Sequence, residues 1–203
     1  LIWSCKSYLC TMKILVCISQ APDTTSRIAF TNGDTAFDSS GVQYIVNPYD
    51  EWYALVRAIE LKEQQGGTVT TITIGEAACD PIIRKALAIG ADDAIRVNAT
   101  PEDSMQVAQL ISEHAKAGEF DAILCGKETI DHNGSVVPAM VAELLDLPFV
   151  ALATSLEVEN GIAKMTREVG GGEESVEVAL PFVASASKGC LLYTSPSPRD
   201  CRL

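Results

Sequence analysis

From residue 13 to residue 186, short apolar runs alternate with segments of helical periodicity, and the alternation predicts an α/β fold. Lys13–Ile18 and Phe120–Cys125 are continuous apolar runs, Thr68–Ile74 is rich in β-branched residues, and Ala94–Val97 is a shorter strand. Runs of this kind suit central strands of a parallel sheet, buried on both faces. Between them, Ala54, Leu55, Ala58, Ile59 and Leu61 recur at helical spacing. That helix is expected to start with Asn47 as N-cap and Pro48 in the first helical position, to place Asp50 and Glu51 at the positive dipole end, and to stop at Gly66-Gly67. Asp80–Ile89 predicts a helix with Ile83, Leu87 and Ala88 inward, Pro101–Ala117 a third, and Val136 to about Leu145 a fourth.

The polar excursion between the first strand and first helix places Arg27–Phe30 and Val42–Val46 around Asn32-Gly33-Asp34 and Ser39-Ser40-Gly41, and reads as an inserted β-ribbon. After the fourth helix come a strand over Phe149–Leu156, a hairpin turn at Asn160-Gly161, a ribbon around Gly170-Gly171-Gly172, and a last strand over Pro181–Ala186. Alternating strands and helices imply right-handed crossovers and a doubly wound parallel sheet. Ligands of such sheets sit beyond the strand C-termini. Cys17–Asp23, Ile74–Ala78 and Gly126–Ser135 all fall at that edge.

The third of these segments is the most distinctive. The strand ending in Cys125 runs into Gly126-Lys127-Glu128-Thr129-Ile130 and then Asp131-His132-Asn133-Gly134-Ser135, before the helix opening at Val136-Val137. Asp131, Asn133 and Ser135 are all good N-cap types. A glycine turn ahead of a helix start gathers free N–H donors with the positive end of the helix dipole, which attracts phosphate. An ordinary βα connection is the competing reading, and the length of the loop favours a ligand.

Composition narrows the function. The formal charge of −12, with no basic stripe, argues against nucleic acid, and no apolar run reaches membrane-spanning length. GxGxxG, GxxxxGK[ST] and GxSxG are absent, and His114 and His132 are the only histidines. No His/Cys cluster has metal-ligand spacing, so neither a metal site nor a catalytic set is expected. Cys17, Cys79 and Cys125 form an odd set without a CxxC pair, which points to reduced thiols and a cytoplasmic setting. The ends differ from the body. Residues 1–11 precede Met12, and residues 190–203 (CLLYTSPSPRDCRL) abandon the periodicity, so both are read as non-native segments around one domain over residues 12–189. The tail is expected to be disordered, its Ser-Pro repeat being incompatible with a helix.

KILVCISQAPDT at the start, VNPYDEWYALVRAIELKE over residues 46–63, IIRKALAIGADDAIRV over 82–97, DAILCGKETID over 121–131 and REVGGGEESVEVALPFVASAS at the close together resemble the β subunit of electron transfer flavoproteins. The resemblance implies an adenine-nucleotide α-hydrolase-like, Rossmann-like fold. It also implies a heterodimer with an α subunit that holds most of a shared FAD, and electrons carried from dehydrogenases to an acceptor without a catalytic site of its own. The β subunit itself is implied to bind AMP, or a second FAD. By position, the family's nucleotide contacts fall on Cys17, Asn47, Pro48, Tyr49, Asp50, Ile74 and the loop Gly126–Val137. Where the family usually has Thr and Gln-Val-Gly, this chain has Gly134, Val136-Val137 and Pro138, so backbone N–H groups must carry more of the phosphate. The resemblance ends near Gly189, ahead of a dehydrogenase-docking loop and a C-terminal arm. A stand-alone nucleotide-binding regulator of the universal-stress type is the alternative. An enzyme of the nucleotide α-hydrolase group is disfavoured because its SGGxDS-type loop is absent.

Overall fold

Residues 11–130 and 132–190 are described by a computed structural model. The expectations for residues 1–10, for 191–203 and for Asp131 lie outside the described residues. The main sheet has eight strands: β1 (Met12–Cys17), β2 (Gly67–Ile74), β3 (Asp93–Val97), β4 (Ala122–Gly126), β5 (Phe149–Glu159), β6 (Ile162–Val169), β7 (Gly172–Ala179) and β8 (Phe182–Ala186). Their spatial order is β7-β6-β5-β8-β4-β1-β2-β3. Neighbours from β5 to β3 pair in parallel, whereas β6 pairs antiparallel with both β5 and β7.

Helices α1 (Asp50–Gln65), α2 (Asp80–Ile89), α3 (Ser104–Gly118) and α4 (Val137–Leu145) cover the two faces. Ile14, Val16, Ala122 and Leu124 join a core with Leu55 and Ile59 of α1 and Ile82 and Ala86 of α2. Leu15, Cys17, Ile123 and Cys125 point the other way, into a core with Ile111 of α3 and Val141 of α4. This two-sided burial is why the central strands read as unbroken apolar runs. It is a doubly wound Rossmann-like α/β fold, with β6 and β7 extending one edge. A buried Arg57 ties α1 to that edge by donating from Nε and Nη2 to the carbonyl of Leu156 on β5.

Five expectations are corrected. The segments 27–30 and 42–46 do not pair with each other: Phe30–Thr31 pairs with Ala36–Phe37, and Tyr44–Ile45 with Ala21–Pro22, giving two separate short ladders. Asn32, Gly33 and Asp34 turn the outer ladder at positive φ, so the tip closes earlier than expected. α1 begins at Asp50, after Pro48, because Asn47 accepts the Tyr49 N–H at 3.0 Å in a tight Asx turn ahead of the helix. On α2, Ile82 and Ala86 face inward, whereas Leu87 and Ala88 are exposed. Ile82/Ala86/Ile89 and Ile83/Leu87 are adjacent apolar stripes, and periodicity alone does not choose between them. Finally, α4 starts behind Val136 without a side-chain cap. Asn133 and Ser135 therefore do not serve as its N-cap, and Pro138 in the first turn removes one N–H that would need a partner. Cys190, assigned to the tail, is buried in the α1-side core.

Candidate functional site

The C-terminal ends of β4, β1 and β2 lie side by side in the sheet, and a cleft of about 650 Å³ opens over them on the α3/α4 side. One end is apolar: Ile72 and Ile74 of β2 face Val107 and Ile111 of α3. The other end is the loop after β4, from which Gly126, Thr129, His132, Gly134 and Val137 line the cleft. Between them lies the end of β1, with Cys17, Ile18, Ser19 and Gln20. The loop is closed on itself by the Thr129 N–H donating to the Gly134 carbonyl at 3.0 Å, and anchored by the Lys127 N–H donating to the Ala186 carbonyl of β8 at 2.9 Å. The first-turn N–H groups of α4 have no partner inside the helix and start beside this loop.

The residues expected from the sequence separate into two groups. Cys17, Ile74, Gly126, Thr129, His132, Gly134 and Val137 line the cleft. Asn47, Pro48, Tyr49, Asp50, Lys127, Glu128, Ile130, Asn133, Ser135 and Val136 are not among its lining side chains. Asn47 is fully buried, and its Nδ2 donates to the Glu128 carbonyl at 2.9 Å. The Asp50 carboxylate accepts the Glu128 N–H. The Glu128 peptide is thus held from both sides by the segment ahead of α1. Burial pushes the Asp50 carboxyl above its ordinary value, with the Lys127 charge and the Glu128 N–H pulling it back. Lys127 pairs with Glu128 at 3.4 Å, Tyr49 is 57% exposed, and Val136 is 46% exposed.

Gly126 is needed for a close approach. A Cβ built on it lies 2.8 Å from both the backbone nitrogen and the Cγ of Glu51. The start of α1 therefore rests directly on the end of β4, and this contact, ahead of any phosphate, accounts for the glycine.

Sequence reasoning missed two parts of the cleft. The loop after β3, Ala99 to Asp103, with Ser104 at the start of α3, forms one wall, held by Thr100 Oγ1 donating to Glu76 at 3.0 Å and by Asp103 capping α3 through the Gln106 N–H at 2.8 Å. It stands at the same sheet edge as the other segments, so the strand-end rule could have found it. Glu51, read only as an acidic first-turn residue, is buried in the cleft floor, where Oε1 accepts the Ser19 hydroxyl at 2.5 Å and Oε2 the Ser19 N–H at 3.0 Å.

Two thiols of the cleft are shifted towards the protonated form. Cys17 is held well above its ordinary value, first by a side-chain hydrogen bond with Cys125 and then by burial. Burial also raises Cys79, whose Sγ–H donates to Gln20 Oε1 at 2.8 Å. Neither offers a thiolate nucleophile at neutral pH. Among the described residues, no three His, Cys, Asp or Glu side chains are placed to hold a metal, and no helix is long and apolar enough to cross a membrane.

Comparison with known proteins gives a consistent match. The electron transfer flavoprotein domain family matches residues 34–193. The electron transfer flavoprotein subunit beta of Bacillus subtilis is 36% identical over 182 residues, which is 88% of this chain and 70% of that protein. The subunit of the same name from Syntrophomonas wolfei is 40% identical over 179 residues, or 86% of this chain and 69% of its own length. The acryloyl-CoA reductase electron transfer subunit gamma of Anaerotignum propionicum is 31% identical over 194 residues, covering 93% of this chain and 70% of that one.

Proposed function

The chain belongs to the electron transfer flavoprotein family as a β-type subunit, and from that premise we propose that its cleft holds one adenine nucleotide, AMP or the AMP half of a second FAD. The observation that carries this is the layout of the cleft. An apolar wall of Ile72, Ile74, Val107 and Ile111 suits a purine, and a helix N-terminus and glycine-bearing loop stand at the opposite end. Base stacking against aliphatic side chains and phosphate capture by backbone N–H groups need no basic side chain, in keeping with a chain of net charge −12. Thr129, Gly134 and the first turn of α4 would hold the phosphate. Asn47 and Asp50 serve the same site by fixing the Glu128 peptide of the loop.

The subunit works in a heterodimer with an α subunit that holds the redox-active FAD, and the pair carries electrons from dehydrogenases to an acceptor. FAD supplies the electron-transfer chemistry there, and this chain supplies positioning. It has no turnover of its own, and the raised Cys17 and Cys79 thiols support that reading. Free, buried Cys17, Cys79, Cys125 and Cys190 support a reducing, cytoplasmic setting.

The test is to denature the purified full chain, pass it through a filter and identify released nucleotide by mass spectrometry, then titrate nucleotide-free chain with AMP. About one adenine nucleotide per chain, or saturable AMP binding, is expected. No released nucleotide together with no binding of AMP or FAD would refute the proposal.

A further inference from the structure

The floor of the cleft accepts hydrogen bonds and turns its donors away. The end of β1 lies between β4, whose loop forms the phosphate end, and β2, whose Ile72 and Ile74 form the apolar end. A nucleotide spanning the cleft lays its sugar over this middle strand. The donors there are engaged within the protein: the Ile18 N–H with the Ile72 carbonyl at 3.0 Å, and the Ser19 N–H and Oγ–H with Glu51 at 3.0 and 2.5 Å. Gln20 is likewise directed to its neighbours, its Nε2 reaching the Ala78 carbonyl at 3.5 Å and its Oε1 accepting from Cys79.

We propose that Ser19 and Glu51 read the ribose hydroxyls of the nucleotide, an inference that rests on the nucleotide reading above. With its proton committed to Glu51, the Ser19 hydroxyl offers the cleft only lone pairs, and the Glu51 oxygens stand beside it as the acceptors of both Ser19 donors. A group with O–H donors fits such a floor, and a phosphate, an anionic acceptor, is repelled by it. A ribose 2′,3′-diol is the donor that a nucleotide brings to this position. The pair therefore sets the orientation of the ligand: diol over β1, phosphate over the loop of β4. It also selects ribonucleotides over sugars lacking the hydroxyls, and over a ribose phosphorylated at the 2′ position. Because AMP and the AMP half of FAD carry the same diol, the selection applies to either.

Calorimetric titration of the full chain with AMP, 2′,3′-dideoxy-AMP and adenosine 2′,5′-bisphosphate tests this. Two hydrogen bonds of about 0.5–1.5 kcal/mol each predict that wild type binds AMP about 10- to 100-fold more tightly than the dideoxy compound, and the bisphosphate more weakly still. Glu51→Gln should lower AMP affinity towards that of the dideoxy compound while leaving the latter nearly unchanged. A purely structural role would weaken both ligands together. Should Glu51→Gln fail to fold, Ser19→Ala keeps the backbone bond to Glu51 and is expected to reduce the AMP/dideoxy ratio about 3- to 10-fold, the share of one hydrogen bond. Equal wild-type affinities for AMP and dideoxy-AMP, or variants with an unchanged ratio, would overturn the ribose assignment and leave the nucleotide reading intact. Wild type that binds neither would overturn both.

Discussion

Replacing Asn47 by Ala separates two roles that the sequence alone could not distinguish, ligand contact and internal clamp. The side chain is fully buried, donates to Glu128 at 2.9 Å and accepts from Tyr49 at 3.0 Å, joining segments 81 positions apart. Truncation leaves the Glu128 carbonyl without its partner in a half-buried loop. Leaving such a group unsatisfied costs about 1–3 kcal/mol, and loss of the Asx turn at Tyr49 adds about 0.5–1 kcal/mol, since water can reach that N–H. The sum, about 1.5–4 kcal/mol, should show in urea titration of the nucleotide-free full chain as a lower midpoint at unchanged slope. Nucleotide affinity should fall as well, because the loop is no longer held. Glu128 is also gripped through its N–H by Asp50, so the loop should loosen and not collapse. If Asn47→Ala leaves the midpoint within about 0.5 kcal/mol of wild type while abolishing AMP binding, Asn47 is a ligand contact and the clamp argument is wrong.

Two further outcomes follow from single contacts. Gly126→Ala places a methyl 2.8 Å from the backbone nitrogen of Glu51, so α1 must move away from β4; a loss of at least about 2 kcal/mol is expected from overpacking, and unchanged thermal stability would count against the contact. Asp92 accepts the Val69 N–H at 2.8 Å and pairs with Lys62 at 3.0 Å, and these hold its carboxyl below the ordinary value, the Val69 bond foremost. A lowered folded pKa means stabilisation present above the unfolded value of about 3.9 and lost as pH falls through the folded one. Asp92→Asn should thus lower stability at pH 7 and flatten the acid limb below about pH 5; parallel acid limbs would refute it.

Much of the architecture was legible because both cores impose a simple code on the strands. Ile14/Val16 and Leu15/Cys17 point to opposite faces, and both faces are covered, so the apolar runs announce central parallel strands. The errors arose where one letter has two structural meanings. Asn before Pro reads as an N-cap, but Asn47 forms an Asx turn and its amide crosses to Glu128. Glu51 reads as a dipole-favourable first-turn acid, but its depth beneath Ser19 depends on how closely α1 meets Gly126, a tertiary distance. The acceptable caps in the loop after β4 led to an expected capped helix, whereas α4 begins uncapped beside a cleft, where free N–H groups have a use. Leu87 and Ile83 looked inward because a short helix with two apolar stripes has no unique buried face in sequence.

The bonds that shape the cleft also fix when it can exist during folding. Ser19 reaches Glu51 across 32 positions and Asn47 reaches Glu128 across 81, while the loop's own anchor runs from Lys127 to Ala186. Each of these closes a long stretch of chain, whose entropy must be surrendered before the contact repays it. Helices α1 and α2 are local by comparison and can form without any of them. A nascent chain that has emerged only as far as α3 carries the proposed purine wall and ribose floor but not the loop after β4, and that loop is anchored only when β8 slots in beside β4. On the proposed reading, nucleotide binding would be coupled to the part of the sheet that closes the longest loops, and a bound nucleotide would stabilise the finished domain over every partly built predecessor.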